Sequence, residues 1–150
     1  MAAIAFEIGV GRYNDEIGQL LGHPDEPGIG QTDHDWVCQQ WQRLPPPLIT
    51  CEPVLTEAAF LLKREGCETD PLLALLERGI LRVGRAVEDQ LADLRTLMRR
   101  YRDRPMSLAD ACLLRLAELH PGGIVLTFDA DFRIYRRHGN KVIPVLMPPD

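Results

Sequence analysis

Three acidic side chains stand out because each lies at the edge or end of an element with an otherwise core-like pattern. They are Glu57 within residues 54–60, Asp110 within residues 107–114, and Asp129 directly after the apolar run 124–128. Partly burying an ionised carboxylate costs free energy unless a cation or a hydrogen-bond donor compensates for it. We therefore predict that the three acids share a bound cation.

The cations that such a set favours are Mg²⁺ and Mn²⁺, because hard divalent ions prefer oxygen ligands. An ion of this kind can orient a phosphodiester and lower the pKa of a bound water that attacks phosphorus. The sequence offers no competing nucleophile built from His, Cys or Ser, and its four cysteines form no Cys-x-x-Cys pair. The predicted chemistry is metal-assisted hydrolysis of a phosphodiester.

Each acid also has a purely structural interpretation. Glu57 could be a boundary residue whose carboxylate reaches water. Ser107 and Asp110 have the spacing of a capping box, in which the acid accepts a hydrogen bond from the cap amide. Asp129 and Asp131 could stabilise a turn by accepting hydrogen bonds from nearby amides. An ordinary α/β domain with acids at caps and turns is therefore an alternative.

The elements that would position these acids follow from apolar periodicity and from Pro and Gly punctuation. The predicted helices are 14–21, 33–44, 53–66, 70–79, 87–103 and 107–119. The predicted strands are 3–10, 48–50, 80–83, 124–128 and 142–146, and residues 22–32 form a predicted loop. Short apolar strands alternating with amphipathic helices indicate a mainly parallel sheet covered on both faces.

In such a sheet the site lies beyond the carboxyl ends of the strands, which is where Asp129 falls. The chain of 150 residues is predicted to form a single α/β domain. No apolar stretch approaches the length of a membrane span, and the amino terminus does not resemble a signal peptide. We expect a cytoplasmic protein with free thiols.

The charge distribution is uneven. The net charge is −5, which argues against capture of nucleic acid by an overall basic surface. Residues 1–75 carry a net charge of −8 and residues 76–150 carry +3, with arginine-rich segments at 99–104 and 133–141. Those segments could contact phosphates locally, because local potential also attracts a ligand.

The chain resembles the PIN-domain ribonucleases, and within them the VapC-type toxins of bacterial toxin–antitoxin pairs. The resemblance covers roughly residues 33–150. Its motifs are residues 45–57, residues 105–111 and residues 125–132, with Tyr135 and Arg136 beyond them. The order and spacing of these segments carry the likeness.

The resemblance implies a three-layer α/β/α fold, a Mg²⁺ or Mn²⁺ site of acids, and endoribonuclease activity on RNA. By position, Glu57, Asp110 and Asp129 would be the catalytic metal-site acids. Asp131 would be an auxiliary ligand, and Thr127 would support the strand end. The resemblance further implies a cognate antitoxin and a homodimer, for which apolar residues of the helices at 54–62 and 70–78 could supply the surface.

The amino end departs from the family pattern. The family carries an Asp on its first strand, and residues 1–32 contain no matching motif. Glu7 is the best substitute because it follows Ile-Ala-Phe on the predicted first strand, with Asp15 and Glu16 as further candidates. The alternative function is therefore a degenerate PIN-like module that binds a partner without cutting RNA.

Overall fold

The computed structural model describes residues 3–5, 31–64 and 66–149, and it gives only the backbone for residues 3–5, 31–34 and 38. The predicted helix at 14–21 and the candidate acids Glu7, Asp15 and Glu16 lie outside the described residues. Most of the predicted loop 22–32 does too, but its last two residues belong to a helix.

The described helices and strands follow the predicted alternation. The helices are α1 Gln31–Arg43, α2 Glu52–Arg64, α3 Asp70–Glu77, α4 Leu91–Arg100 and α5 Leu108–Leu119. The strands are β1 Ala3–Ala5, β2 Leu48–Thr50, β3 Leu81–Val83, β4 Ile124–Leu126, β5 Arg136–Arg137, β6 Lys141–Val142 and β7 Val145–Leu146. Short 3-10 helices span Glu88–Gln90 and Ala130–Arg133.

A five-stranded sheet in the order β3-β2-β1-β4-β7 forms the centre, and each of its neighbouring pairs is parallel. The first strand is innermost: Ile4 lies opposite Ile49 of β2 on one side and Val125 of β4 on the other. This confirms the predicted α/β fold with a mainly parallel central sheet.

Both faces of the sheet are covered. Successive residues of a strand point to opposite faces, yet Leu48, Ile49 and Thr50 of β2 are all buried. Helix α5 contacts β1, β2 and β4, and it contributes Leu113, Leu114 and other residues to the core. This burial pattern agrees with the predicted three-layer α/β/α arrangement.

The predicted bounds of the longest helix, 87–103, are wrong at both ends. Gln90 has non-helical backbone angles (φ −119°, ψ 12°), so a 3-10 turn precedes α4, which ends at Arg100. Leu91 and Met98, which fit the 3.6-residue apolar period of this segment, are exposed, while Leu94 and Leu97 are buried. The apolar periodicity identified the helix but not its limits.

The predicted last strand, 142–146, is divided in two. Val142 belongs to β6, which pairs with β5 in an antiparallel hairpin that the sequence pattern did not indicate. His138 and Gly139 have positive φ angles of 48° and 87° in its turn. Val145 and Leu146 form β7 at the edge of the central sheet.

Two further findings bear on the expectations from composition. Cys51 and Cys112 are free thiols, as predicted. A hydrogen bond to Cys112 and burial raise the pKa of Cys51 well above its ordinary value. No helix in the described part of the chain combines the length and the apolar character that crossing a membrane requires.

Candidate active site

The candidate acids lie on elements that adjoin one edge of the sheet. The carboxyl ends of parallel strands meet at the same edge. Strand β2 ends at Thr50, directly before α2, which carries Glu57. Strand β4 ends at Leu126, three residues before Asp129. The fold thereby brings segments far apart in sequence to one edge.

Glu57 lies in the second turn of α2, and its position corrects one expectation. The helix buries Val54, Ala58 and Leu62, which are four residues apart, so Glu57 is exposed at the helix surface rather than half-buried. Its environment is nevertheless perturbed. Residual burial and, next, the charge of Asp110 raise the pKa of Glu57, while a hydrogen bond with the side chain of Ser107 opposes the rise.

Asp110 lies in the first turn of α5 and takes part in the capping box that its spacing predicts. Its Oδ2 accepts a hydrogen bond from the Ser107 amide (2.7 Å), and its own amide donates to the Ser107 hydroxyl (3.1 Å). Burial raises the pKa of Asp110, the hydrogen bonds with Ser107 lower it, and the charges of Asp129 and Asp131 raise it. The net direction is upward.

Asp129 and Asp131 also take part in the predicted turn. The amide of Asp129 donates to Oγ1 of the buried Thr127 (3.0 Å), and the amide of Asp131 donates to Oδ1 of Asp129 (2.8 Å). Asp129 thus caps the 3-10 helix Ala130–Arg133. Thr127 supports the strand end, as the resemblance implied.

The structural and functional interpretations are therefore not exclusive. The capping box and the turn exist, and the same acids also act on one another electrostatically. The charge of Asp110 acts on the pKa of Glu57, and the charges of Asp129 and Asp131 act on the pKa of Asp110. We therefore call Glu57, Asp110, Asp129 and Asp131 the acidic cluster.

Tyr135 adds a neutral donor beside the acidic cluster. Its side chain is fully buried and packs edge-on against Tyr101 (4.9 Å between ring centroids) and Phe132 (5.3 Å). Burial, together with the charges of Asp110, Asp131 and Asp129, raises its pKa, so the hydroxyl remains protonated. This hydroxyl has no hydrogen-bond partner among the described residues.

The donor set fits a hard divalent ion in kind. It consists of carboxylates, and the pKa values of Glu57 and Asp110 are raised, first by burial and then by the charges of neighbouring acids. The unpartnered Tyr135 hydroxyl would be satisfied by a ligand or water oxygen next to the acids. No three His, Cys, Asp or Glu side chains within the described ranges are arranged to hold an ion directly.

The arginines of the two arginine-rich segments differ in their availability. The Arg136 guanidinium donates to the carbonyls of Arg133, Ile134 and Tyr135, at 2.8 Å each. Arg137 donates to the carbonyls of Ala117 (3.4 Å) and Pro121 (2.9 Å). Both side chains therefore stabilise the backbone.

Arg104 has a different environment. Its side chain is exposed, and its positive charge lowers the pKa of Tyr135, whereas the charges of the acids raise it. Arg104 is therefore close enough to Tyr135 for its charge to act on the Tyr135 hydroxyl.

Sequence reasoning missed three features of the site. They are the interaction of Ser107 with Glu57, the buried hydroxyl of Tyr135, and the position of Arg104 close to that hydroxyl. One signal was present for Tyr135, which follows Asp131 by four residues and donates its amide to the Asp131 carbonyl (3.0 Å). A helical turn of that length places an aromatic side chain near the acid. Nothing local indicated the other two.

A family model for the PIN domain matches residues 29–137, which is more than half of the chain. No curated protein matches the chain significantly.

Proposed function

The chain belongs to the PIN domain family, whose members are generally nucleases, and from this premise we propose that it is a Mg²⁺- or Mn²⁺-dependent endoribonuclease of the VapC toxin kind, acting in the cytoplasm. The observation that carries the proposal is the electrostatic coupling of Glu57, Asp110, Asp129 and Asp131. Family membership gives the nuclease activity, and the acidic cluster suggests where it resides.

The residues of the site would divide the work as follows. Glu57, Asp110 and Asp129 would hold the ion, with Asp131 as an auxiliary ligand. When bound, such an ion lowers the pKa of a coordinated water and neutralises charge on the phosphodiester. Ser107 and Thr127 keep Asp110 and Asp129 in position through their hydrogen bonds.

Glu7 is our candidate for a further acid. Strand β1 ends at Ala5, between β2 and β4 and parallel to both, and Glu7 follows two residues later in the sequence. Asp15 and Glu16 follow further along. All three lie outside the described residues, so the support for Glu7 is its place in the sequence relative to the strand.

Cleavage of RNA tests the proposal. We expect purified protein to cut single-stranded or structured RNA with Mn²⁺ present, and Asp110→Asn or Glu57→Gln to reduce the rate on the order of 10²-fold, because small misplacements at a reacting centre cost about that much. Asp70→Asn is the matched control, since Asp70 is an exposed acid in the first turn of α3. Unchanged cleavage by Asp110→Asn would exclude the mechanism.

A second candidate is the module that binds a partner without cutting. Two observations favour it: the described residues contain no ready three-ligand metal group, and Glu57 is exposed. Calorimetry distinguishes the two candidates. Micromolar Mn²⁺ binding that is lost in Glu57→Gln excludes the binding module, whereas negligible Mn²⁺ binding supports it.

The proposed partners are RNA, a cognate antitoxin and a second copy of the chain. An antitoxin segment would cover the acidic cluster, so stoichiometric antitoxin should abolish cleavage. For the homodimer, the support is that Phe60 of α2 and Leu73 of α3 are exposed apolar side chains (66% and 59%).

A further inference from the structure

The two arginine-rich segments, whose nearest residues are 29 positions apart in the sequence, adjoin each other in the fold. The Arg100 guanidinium donates a hydrogen bond to the Gly139 carbonyl in the turn of the β5–β6 hairpin. The amide of Arg136 donates to the Tyr101 hydroxyl (2.8 Å). These contacts join the end of α4 to the hairpin, so the cations of both segments lie on adjoining surface.

Several cations on this surface have no structural task. We define the basic surface as the exposed side chains of Arg99, Arg102, Arg104 and Lys141. Within the described part of the chain, Arg102 has one long ion pair with Asp103 (3.9 Å), and both side chains are at least 80% exposed, so that pair contributes little. The side chains of Arg99, Arg104 and Lys141 make no hydrogen bond or ion pair there. These charges are available to a ligand.

The basic surface adjoins the acidic cluster. Tyr101, which lies between Arg100 and Arg102 in the sequence, packs its ring against that of Tyr135 (4.9 Å between centroids), and the Tyr135 amide donates to the Asp131 carbonyl (3.0 Å). Arg104 lies three residues before Ser107, whose amide donates to Asp110 (2.7 Å). A phosphate at the acidic cluster would thus have Arg104 as its neighbour, with Arg99 and Arg102 close by along the chain. The surrounding cations would offset the repulsion between the acids and a nucleic acid.

We infer that the basic surface binds the phosphates that flank the scissile bond in single-stranded RNA. The inference rests on the proposed function, because it takes RNA as the ligand of the acidic cluster. It adds which surface of the protein holds the RNA strand and by which kind of contact. The Arg and Lys side chains act as sequence-independent phosphate contacts.

The surface offers little means of reading bases. Among the described aromatic residues, only Phe60 has an exposed side chain, and it lies on α2. Tyr101 is partly buried and Tyr135 is fully buried. Stacking on aromatic rings supplies much of the base affinity in single-strand binding proteins. Binding through this surface should therefore depend strongly on salt and weakly on sequence.

The test measures RNA binding separately from cleavage. Labelled oligouridine is titrated into Asp110→Asn protein with EDTA present, between about 50 and 200 mM salt. Adding Arg99→Gln and Arg102→Gln should reduce the slope of log K against log salt by about 0.7 for each phosphate that the protein no longer neutralises. At about 0.1 M salt, this change makes binding roughly fivefold weaker for each such phosphate.

The control pair is Arg82→Gln with Arg85→Gln, which removes the same charge from exposed residues in and after β3, at the opposite edge of the sheet from β7. An unchanged slope for the Arg99 and Arg102 pair, or an equal reduction for the control pair, overturns the inference. Failure of the nuclease proposal has a different signature: wild-type protein with Mn²⁺ leaves RNA intact while binding still depends on Arg99 and Arg102.

Discussion

Asp110 shows how one side chain can satisfy a local motif and a site at once. Its Oδ2 is engaged by the Ser107 amide, and its charge is opposed by Asp129 and Asp131. The capping box was predictable, because its partners are three residues apart. The coupling to Asp129 was not, because it depends on how α5 and the end of β4 meet. For Glu57, the sequence pattern predicted partial burial at the edge of an apolar helix face, whereas the side chain is exposed.

The raised pKa of Asp110 predicts how its removal affects stability. Without metal, an acid whose pKa is raised by folding destabilises the native state above its folded pKa, and this penalty disappears as the pH falls toward the unfolded value of 3.8. Asp110→Asn should therefore raise the free energy of unfolding near pH 7, by on the order of 1 kcal/mol or less because solvent screens the site. The gain should vanish near pH 4.

Thermal unfolding at both pH values checks this expectation. Asp70→Asn serves as the control and should change stability by less than about 0.5 kcal/mol. A lower melting temperature for Asp110→Asn at neutral pH would show that its helix cap outweighs the repulsion. Mn²⁺ should stabilise the wild-type protein and not Asp110→Asn, because only a competent site links binding to folding.

Among the elements, helices were easier to predict than the strands near the carboxyl end. Helix α5 matched closely because a capping Ser and a Pro-Gly-Gly turn limit it. The hairpin was missed because β5 and β6 have two residues each and are arginine-rich, so they show no apolar alternation. Its stability derives from long-range contacts such as that between Arg100 and Gly139, which leave no local pattern.

The start of α5 offers a test at this scale. Ser107→Ala removes the hydroxyl that accepts the Asp110 amide, and it should lower the free energy of unfolding by about 1 kcal/mol, the usual cost of losing an N-cap. Ser107→Thr retains a hydroxyl and should remain close to wild type. Urea denaturation measures both. Equal stability of the Ala and Thr variants would mean that the cap contributes nothing here.

At the level of the whole molecule, the parallel sheet was predictable and the order of its strands was not. Alternation of strands and helices indicated parallel pairing, but each strand of the central sheet has only two or three residues, too few to show which neighbours it takes. That β1 lies between β2 and β4 is a result of the three-dimensional structure alone.

The proposed homodimer is testable on the whole particle. If Phe60 and Leu73 lie in its interface, Phe60→Lys with Leu73→Lys should convert a dimer to a monomer in sedimentation experiments, because burying two unpaired charges costs several kcal/mol. Met98→Lys is the control, since Met98 is also exposed (38%) but lies on α4. A wild-type monomer at high concentration would contradict the dimer.

The innermost place of β1 has a practical consequence for anyone trimming the chain. A fragment cut to residues 29–137, the span that matches the family model, would lack both β1 and β7. Strands β2 and β4 would then lose the neighbour that they share. The backbone amides and carbonyls that pair with β1 would be left unpaired and could bond to other molecules. Such a truncation would split the sheet along its middle and favour aggregation.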